Sequence, residues 1–597
     1  MHYGDIMLLR DHEVMVITCQ TVYLQNTVAE VEKRNIINEE VHYFMKKRKL
    51  LALITSVALI MSLLAGCSNG SKGDDSGSDE KANTGNPTEA AAPATETTSE
   101  EFTYPMTSGN TLTYWTGLNA NVSANYANLG DTPFAKAWME QTGVQIEFQH
   151  PPTGQDQEQF SLLIADGNLP DVMEYPWMTY PGGPEKAIND GVIIALNDVF
   201  EQYCPNLMAY LKANPEIDKM IKTDEGHYYV FPFIRGDEVL CNTIGLMVRQ
   251  DWLGDLGLEV PTTIDEWQTV LTKFRDEKGA TAPFSYEYTM GVLTEENPFT
   301  YAFGTTKNFY LNSDGTIHFG AVEDGYKQFL TTFANWYKEG LIDQDFATLA
   351  LDQVSAKMTN GSAGASIGWA GSRMGIWIKA ATATDPNYML EAAPYPTLNK
   401  GDKPEFGQIE NRYSNQGGVA ITTSCKDIET AARLLDYAYG EAGHMLFNFG
   451  VEGESYTMVG DYPTYTDKIL NNPDGWPLAQ SLSAYIRGNY NGPFVQDKRY
   501  LEQYYTIDTQ KVTNTIWGAT NARSHKIPPI TPTSDESQEF SSIMNEINTY
   551  RDEMTLKFIF GEESMDNFDE YVKNIEAMGL ARALEIENAA LARYNAR

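Results

Sequence analysis

Trp115 and Asn119 in "YWTGLNAN", and Tyr175 and Trp177 in "EYPW", set large rings and an amide among Gly, Pro and Asn. Segments of that composition run over a protein surface, where rings and amides offer non-covalent contact to a ligand. Burial competes for each ring, because large apolar surface goes inside by default. Bond-making chemistry leaves a fainter trace: no HExxH, G-x-S-x-G or Walker-type loop occurs,. The 81 Asp and Glu residues still leave room for a glycosidase pair of carboxylates, which needs a separation of about 5–10 Å,. The calcium-loop pattern D-x-[DN]-x-[DN]-G is absent and "NSDG" (312–315) reads as a turn, so no metal and no cofactor are predicted,. Beyond Cys19 and Cys67, the odd set Cys204, Cys241 and Cys425 has no CxxC spacing, which favours buried thiols over a zinc site,. A Cys204–Cys241 bridge is the alternative.

The elements that must position these side chains follow from periodicity. Leu112 and Tyr114 alternate as a strand that runs out into Gly117,. "DTPFAKAWMEQTG" has Pro133 just inside a helix start, Phe134, Ala137 and Trp138 on one face, and Gly143 as a stop,. Val144, Ile146 and Phe148 alternate as a second strand; Phe160, Leu163 and Ile164 mark a second helix, and Asp171–Glu174 a third strand. The order β-α-β-α-β implies a parallel doubly wound sheet, whose ligands bind beyond the carboxyl ends of the strands. Trp115, Asn119, Tyr175 and Trp177 follow those ends. Further on, Thr262 or Thr263 caps a helix with Glu266 near its third position, and "YLNSDGTIHFG" reads as a hairpin turning at Asp314-Gly315,. "DGYKQFLTTFANWYKEGLID" is a helix with Tyr326, Phe329, Phe333 and Trp336 on its core face,. "GGVAITTSCKDIETAARLLDYAYGEAG" repeats the strand-helix unit, and residues 566–594 form a terminal amphipathic helix.

Composition bounds the function classes. The 597-residue chain has a formal net charge of −38, which argues against nucleic acid as a partner,. Nearly 500 residues lie beyond Thr103, too many for one core,. At the front, Lys46, Lys47, Arg48 and Lys49 precede a nearly unbroken apolar run from Leu50 to Gly66, the layout of a secretory signal,. Leu64-Ala65-Gly66-Cys67 resembles the lipobox of bacterial lipoproteins, which implies a diacylglycerol on the Cys67 thiol and cleavage just before it. Two acyl chains hold a protein at a membrane where one does so only reversibly. An uncleaved signal anchor is the competing reading, with the run at the lower limit for a spanning helix. Residues 68–101 lack aromatics and large aliphatics and read as a flexible tether,. Residues 1–44 fit poorly ahead of such a signal, which points to Met45 as the true start.

The phrases "LLIADGNLPDVMEY", "DGVIIALNDVFEQYCPNL", "VRQDWLGDLGLEVPTTIDEW", "WYKEGLIDQDFAT", "YNGPFVQD" and "GEESMDNFDEYVKNIEAMGL" resemble, in order and spacing, the family 1 extracellular solute-binding proteins. These are the lipoprotein receptors of carbohydrate ABC importers, and the match is nearest to the long LplA-type members. The resemblance implies an α/β periplasmic-binding-protein-like fold of two discontinuous lobes joined by hinge strands. The boundaries it suggests are 1–44 upstream of the start, 45–66 signal peptide, 67–106 lipidated Cys67 and tether. Lobe 1 then comprises 107–236 with 410–470, and lobe 2 comprises 237–409 with 471–597. Crossings are expected near 231–238, at 410–421 and within 455–480. The implied function is to bind a sugar or oligosaccharide in the interlobe cleft and deliver it to permease subunits, as a monomer on the outer face of the cytoplasmic membrane. Rings would cover the apolar face of the sugar, and planar polar groups would replace the water on its hydroxyls. The candidate rings are Trp115, Tyr175, Trp177 and Trp369; the candidate polar partners are Asn119, Arg235, Asp237, Ser372, Arg373 and Arg412. An interlobe salt bridge competes for Arg235, and an arginine facing the cleft would make an anionic sugar plausible through bidentate pairing. The alternatives are a secreted polysaccharide-degrading enzyme and a sensor subunit that presents its ligand to a membrane kinase.

Overall fold

The computed structural model describes residues 102–107, 109–288, 297–488 and 491–597. The expectations for residues 1–101, including the leader, Cys67 and the tether, fall outside them. Strand β1 (Thr111–Trp115) points Leu112 and Tyr114 into the interior, as its alternation requires. Helix α1 (Pro133–Thr142) starts where the Thr132 hydroxyl accepts the Ala135 N–H at 3.1 Å, and it stops at Gly143. Gly143 sits at φ +74°, and a Cβ there would lie 2.2 Å from the Met106 carbonyl oxygen, so no other residue ends the helix this way without strain,. Strand β2 (Gln145–Gln149), helix α2 (Asp156–Asp166) and strand β3 (Val172–Tyr175) complete the unit. β1 lies in the middle, parallel to both β2 and β3, with Tyr114 opposite Phe148 on one side and Val172 on the other. The strand Gly418–Ile421 closes the sheet antiparallel against β3. The expected parallel β-α-β-α-β unit is therefore present, joined by a fourth strand from far along the chain.

A second sheet has Ile244–Arg249 at its centre, flanked antiparallel by Ala365–Trp369 and Leu390–Ala393. Its core is aromatic. Tyr326, Phe329, Phe333 and Trp336 on the helix Asp324–Lys338 are all buried, each worth about 1.5–3 kcal/mol or more when removed from water,. Thr263 caps the helix Ile264–Lys278 through the Glu266 N–H, while the Glu266 carboxylate accepts from the Thr262 N–H and hydroxyl at 2.8 Å. The hairpin at Asp314-Gly315 pairs Phe309–Leu311 with Ile317–Phe319. The expected terminal helix is two helices, Phe568–Ala577 and Leu580–Ala596, because Gly579 at φ +106° turns the chain between them. The last of these ends with Arg593 and Arg597 both donating to the Asp224 carboxylate, at 2.7 and 2.6 Å.

Residues 112–234 and 413–447, with Phe494 and Val495, pack into one core; residues 244–393 and 544–583 supply another. A smaller cluster gathers Leu240, Tyr395, Leu501, Tyr505 and Trp517. Within the first core, Phe233–Arg235 runs parallel to Phe494–Gln496, and Ile234 bridges to Tyr413. Three stretches of chain thus pass side by side. Cys204, Cys241 and Cys425 are free, buried thiols, so the alternative bridge is not formed. No described helix is long and apolar enough to cross a membrane.

Candidate functional site

Two cavities, of about 520 and 480 Å3, adjoin at Gln416 and Asn491, which line both, and together make up the candidate groove. The second lies at the carboxyl ends of β1 and β3. Trp115 and Tyr175 line it, both leaning on Phe160 of α2, whose ring stacks on Tyr175 with centroids 3.5 Å apart. At 4% and 8% exposed, these two spend most of their surface on packing and leave little of it to the groove. Asn119 lines the first cavity from the loop after β1, where its side chain accepts the Asn121 N–H at 2.8 Å and so starts the short helix Ala120–Ser123.

Across the groove, Trp369 ends the strand Ala365–Trp369, and the chain then opens into a wide π-type turn, Ala370–Gly375, that carries Ser372. Turns of this kind recur at functional sites. Gly371 has no side chain because Tyr504 occupies the space: a Cβ would lie 2.4 Å from its ring. Tyr500 and Tyr504, on the helix Lys498–Tyr504, stack with centroids 5.8 Å and planes 19° apart, and both line the cavity with Trp369.

The structure brings Trp115, Asn119, Tyr175, Trp369 and Ser372 to the groove and sends the other five candidates elsewhere. Trp177 is 1% exposed, and its indole N–H reaches the Met173 carbonyl at 3.4 Å; its surface is consumed by packing. Arg235 is buried and donates to the Asn411 carbonyl at 2.9 Å. Arg412 donates to the carbonyls of Arg235 and Gly236, at 3.0 and 3.1 Å, and pairs with Glu216. Where adjacent segments diverge, ladder carbonyls go unpaired, and a guanidinium with five donors is suited to collect them. Arg373 stands beside the Trp369 ring, 5.4 Å from its centroid, with its charge answered by Glu287 at 3.0 Å. Burial draws its guanidinium below the usual value despite that carboxylate. Asp237 caps the Val239 N–H at 3.0 Å and accepts from Lys498 at 2.9 Å. Partial burial would raise its carboxyl, but these donors hold it below the usual range.

Sequence reasoning missed a buried charge pair in the floor. Glu174 of β3 accepts from Arg487 Nη2 at 2.7 and 2.9 Å and from the Tyr114 hydroxyl at 2.8 Å. Burial, with Glu174 adding to it, pushes the Tyr114 phenol well above its ordinary value. Burial alone would lower Arg487; the adjoining carboxylate reverses this and holds the guanidinium above its usual value. Gln416, Asn491 and the pair Tyr500 and Tyr504 were also missed. Only the tyrosines leave a sequence signal, a spacing of four that sets both rings on one helix face.

Residues 126–445 match the family described as bacterial extracellular solute-binding protein, and the chain belongs to that family. The fructooligosaccharide ABC transporter substrate-binding protein FusA of Streptococcus pneumoniae is 23% identical over 521 residues, covering 83% of this chain and 93% of that protein. The polygalacturonan/rhamnogalacturonan-binding protein YtcQ of Bacillus subtilis is 23% identical over 73% of this chain and 84% of its own. The fold is that of two-lobed solute-binding proteins. Alginate-binding protein AlgQ2 superposes with a TM-score of 0.64 at 23% identity, over 83% of this chain and all of that one. FusA in complex with kestose does so with 0.64 at 21% identity, over 82% and 100%.

Proposed function

We propose that this protein is a carbohydrate receptor of an ABC importer, and that the groove holds a sugar or oligosaccharide. The observation that carries this reading is the groove itself, where Trp369, Tyr500 and Tyr504 face amides from Asn119, Asn121, Gln416 and Asn491 across about 520 Å3. Rings for the apolar face of a pyranose or furanose and amides for its hydroxyls are the two things such a ligand needs. The relatives named for fructooligosaccharide and polygalacturonan binding support the class. The same relatives are named as binding proteins, which favours a receptor over a hydrolase.

The lobes follow the two cores: lobe 1 holds 112–234 and 413–447 with Phe494 and Val495, lobe 2 holds 244–393 and 544–583, and the separate cluster from Phe449 to Ile486 moves the third crossing later than 455–480. The third crossing then lies at 494–498, because Phe494 and Val495 pack with the first core while Leu501 and Tyr505 pack beside Trp517. A ligand touching both walls favours the closed arrangement. The lipobox-like Leu64-Ala65-Gly66-Cys67 supports a lipid anchor on the outer face of the cytoplasmic membrane, with the receptor acting as a monomer beside its permease subunits,.

Thermal unfolding with a panel of oligosaccharides tests the reading. A bound sugar at 100 times its dissociation constant adds about 2.7 kcal/mol of stability, and absence of any shift across the panel rejects the class. For the anchor, Cys67→Ala is expected to release the protein into the medium, read by immunoblot of cell and supernatant fractions.

A further inference from the structure

Resting on the reading of the groove as a saccharide site, we infer that its ligand is an uncharged oligosaccharide and not a uronic acid chain. A carboxylate taken out of water needs a cation or several donors aimed at it. Among the described residues, neither cavity is lined by Lys, Arg or His. The arginines that could have served are engaged with the protein: Arg235 and Arg412 on backbone carbonyls, Arg373 on Glu287, Arg487 on Glu174. Two carboxylates, Asp156 and Glu174, line the second cavity instead, on a chain of net charge −38. The Glu174 charge is answered by Arg487, which leaves Asp156 as the carboxylate that repels an anion placed there,.

The polar groups that do line the groove fit hydroxyls. Asn119, Asn121, Gln416 and Asn491 each carry both a donor and an acceptor, as a sugar hydroxyl does,. Asn491 stands where the two cavities meet, packed over Gly417. An ionised carboxylate only accepts and so uses only the amide N–H2 groups of these side chains, whereas a hydroxyl both donates and accepts. The two cavities adjoin at Asn491 and Gln416, and their volumes of about 520 and 480 Å3 together give room for more than one sugar ring.

Calorimetric titration of the full-length protein tests the inference, using inulin-type, malto-, cello- and xylo-oligosaccharides against oligogalacturonate and oligomannuronate of equal length. At least one neutral series is expected to bind, with both uronates at least about 100-fold weaker than it. Its affinity should change less than about twofold between 50 and 500 mM NaCl, since no ion pair is made. A uronate that binds more tightly than every neutral sugar, and loses affinity with salt, overturns the inference while leaving the saccharide reading intact. Failure of every sugar in both sets overturns the two together.

Discussion

Trp115, Tyr175 and Glu174 come to the groove from neighbouring strand ends of one contiguous unit, and Phe160 and Arg487 lock them from behind. Trp369, Ser372, Tyr500 and Tyr504 come to the opposite wall from segments some 130 residues apart and rest on helical turns, half-buried or exposed. The first wall is scaffold with its edge in the site. The second presents rings that are only half-buried. Affinity and stability should therefore separate between the walls, and single substitutions can show whether they do.

The largest effects belong to the first wall and should be effects on stability. Glu174→Ala leaves Arg487 buried without its carboxylate and is expected to cost about 3–5 kcal/mol in urea unfolding,. Trp177→Ala, which opens a cavity in the core behind that wall, is expected to cost a similar 3–5 kcal/mol,. Folded Trp177→Ala protein should keep its affinity, measured calorimetrically at a temperature where unfolding is negligible. Loss of affinity greater than the fraction unfolded would return Trp177 to the site and erase the contrast.

Next in size is Trp369→Ala, expected to weaken sugar binding by about 2 kcal/mol while stability moves by less than about 1 kcal/mol. A change in unfolding as large as that of Trp177→Ala would make both walls scaffold. Gly371→Ala is smaller. Its new methyl collides with the Tyr504 ring at 2.4 Å, so the ring must tilt out of its stack with Tyr500, for about 1 kcal/mol of affinity,. Gly371→Ala in a Tyr504→Ala background should cost nothing further, which a double-mutant cycle reads directly.

The same contrast explains what the sequence disclosed. Leu112 and Tyr114, Ile146 and Phe148 alternate within single strands, and caps at Thr132 and Gly143 frame the helix between them, so the first sheet is local information. Side chains at the ends of those strands inherit that clarity, as Trp115 and Tyr175 show. The opposite wall depends on which distant segments meet. Nothing local in "YIRG" says that Arg487 will face Glu174 across 313 residues of chain, or that Asn491 will cover Gly417. Trp369 lies where a strand ends in small residues, a pattern visible locally, while Tyr504, which fills the space beside Gly371, lies 133 residues further along the chain. The arginines depend on the same distant meetings: Arg235 donates to the Asn411 carbonyl and Arg412 to the Arg235 carbonyl, pairings that no local pattern around either residue announces.

Asp237 gives the smallest effect and the finest cut. It belongs to neither wall, although its loop and charge suggested a role with a ligand; its carboxylate is shared between the Val239 N–H and Lys498. Both partners of the ion pair are well exposed, at 37% and 50%, so the pair contributes little and is screened by salt,. Because the folded carboxyl is held below its usual range, the contribution is present above the unfolded value near pH 4 and is lost as pH falls through the folded one,. Asp237→Asn should then lower stability slightly at pH 7, with the difference from the original protein shrinking as pH falls below about 4, and bind sugar with unchanged affinity at both low and high salt,. Because Lys498 opens the helix that carries Tyr500 and Tyr504, an affinity loss in Asp237→Asn would mean that the second wall is held in place through this ion pair, and the division between a locked wall and an adaptable one would have to be redrawn at residue 498.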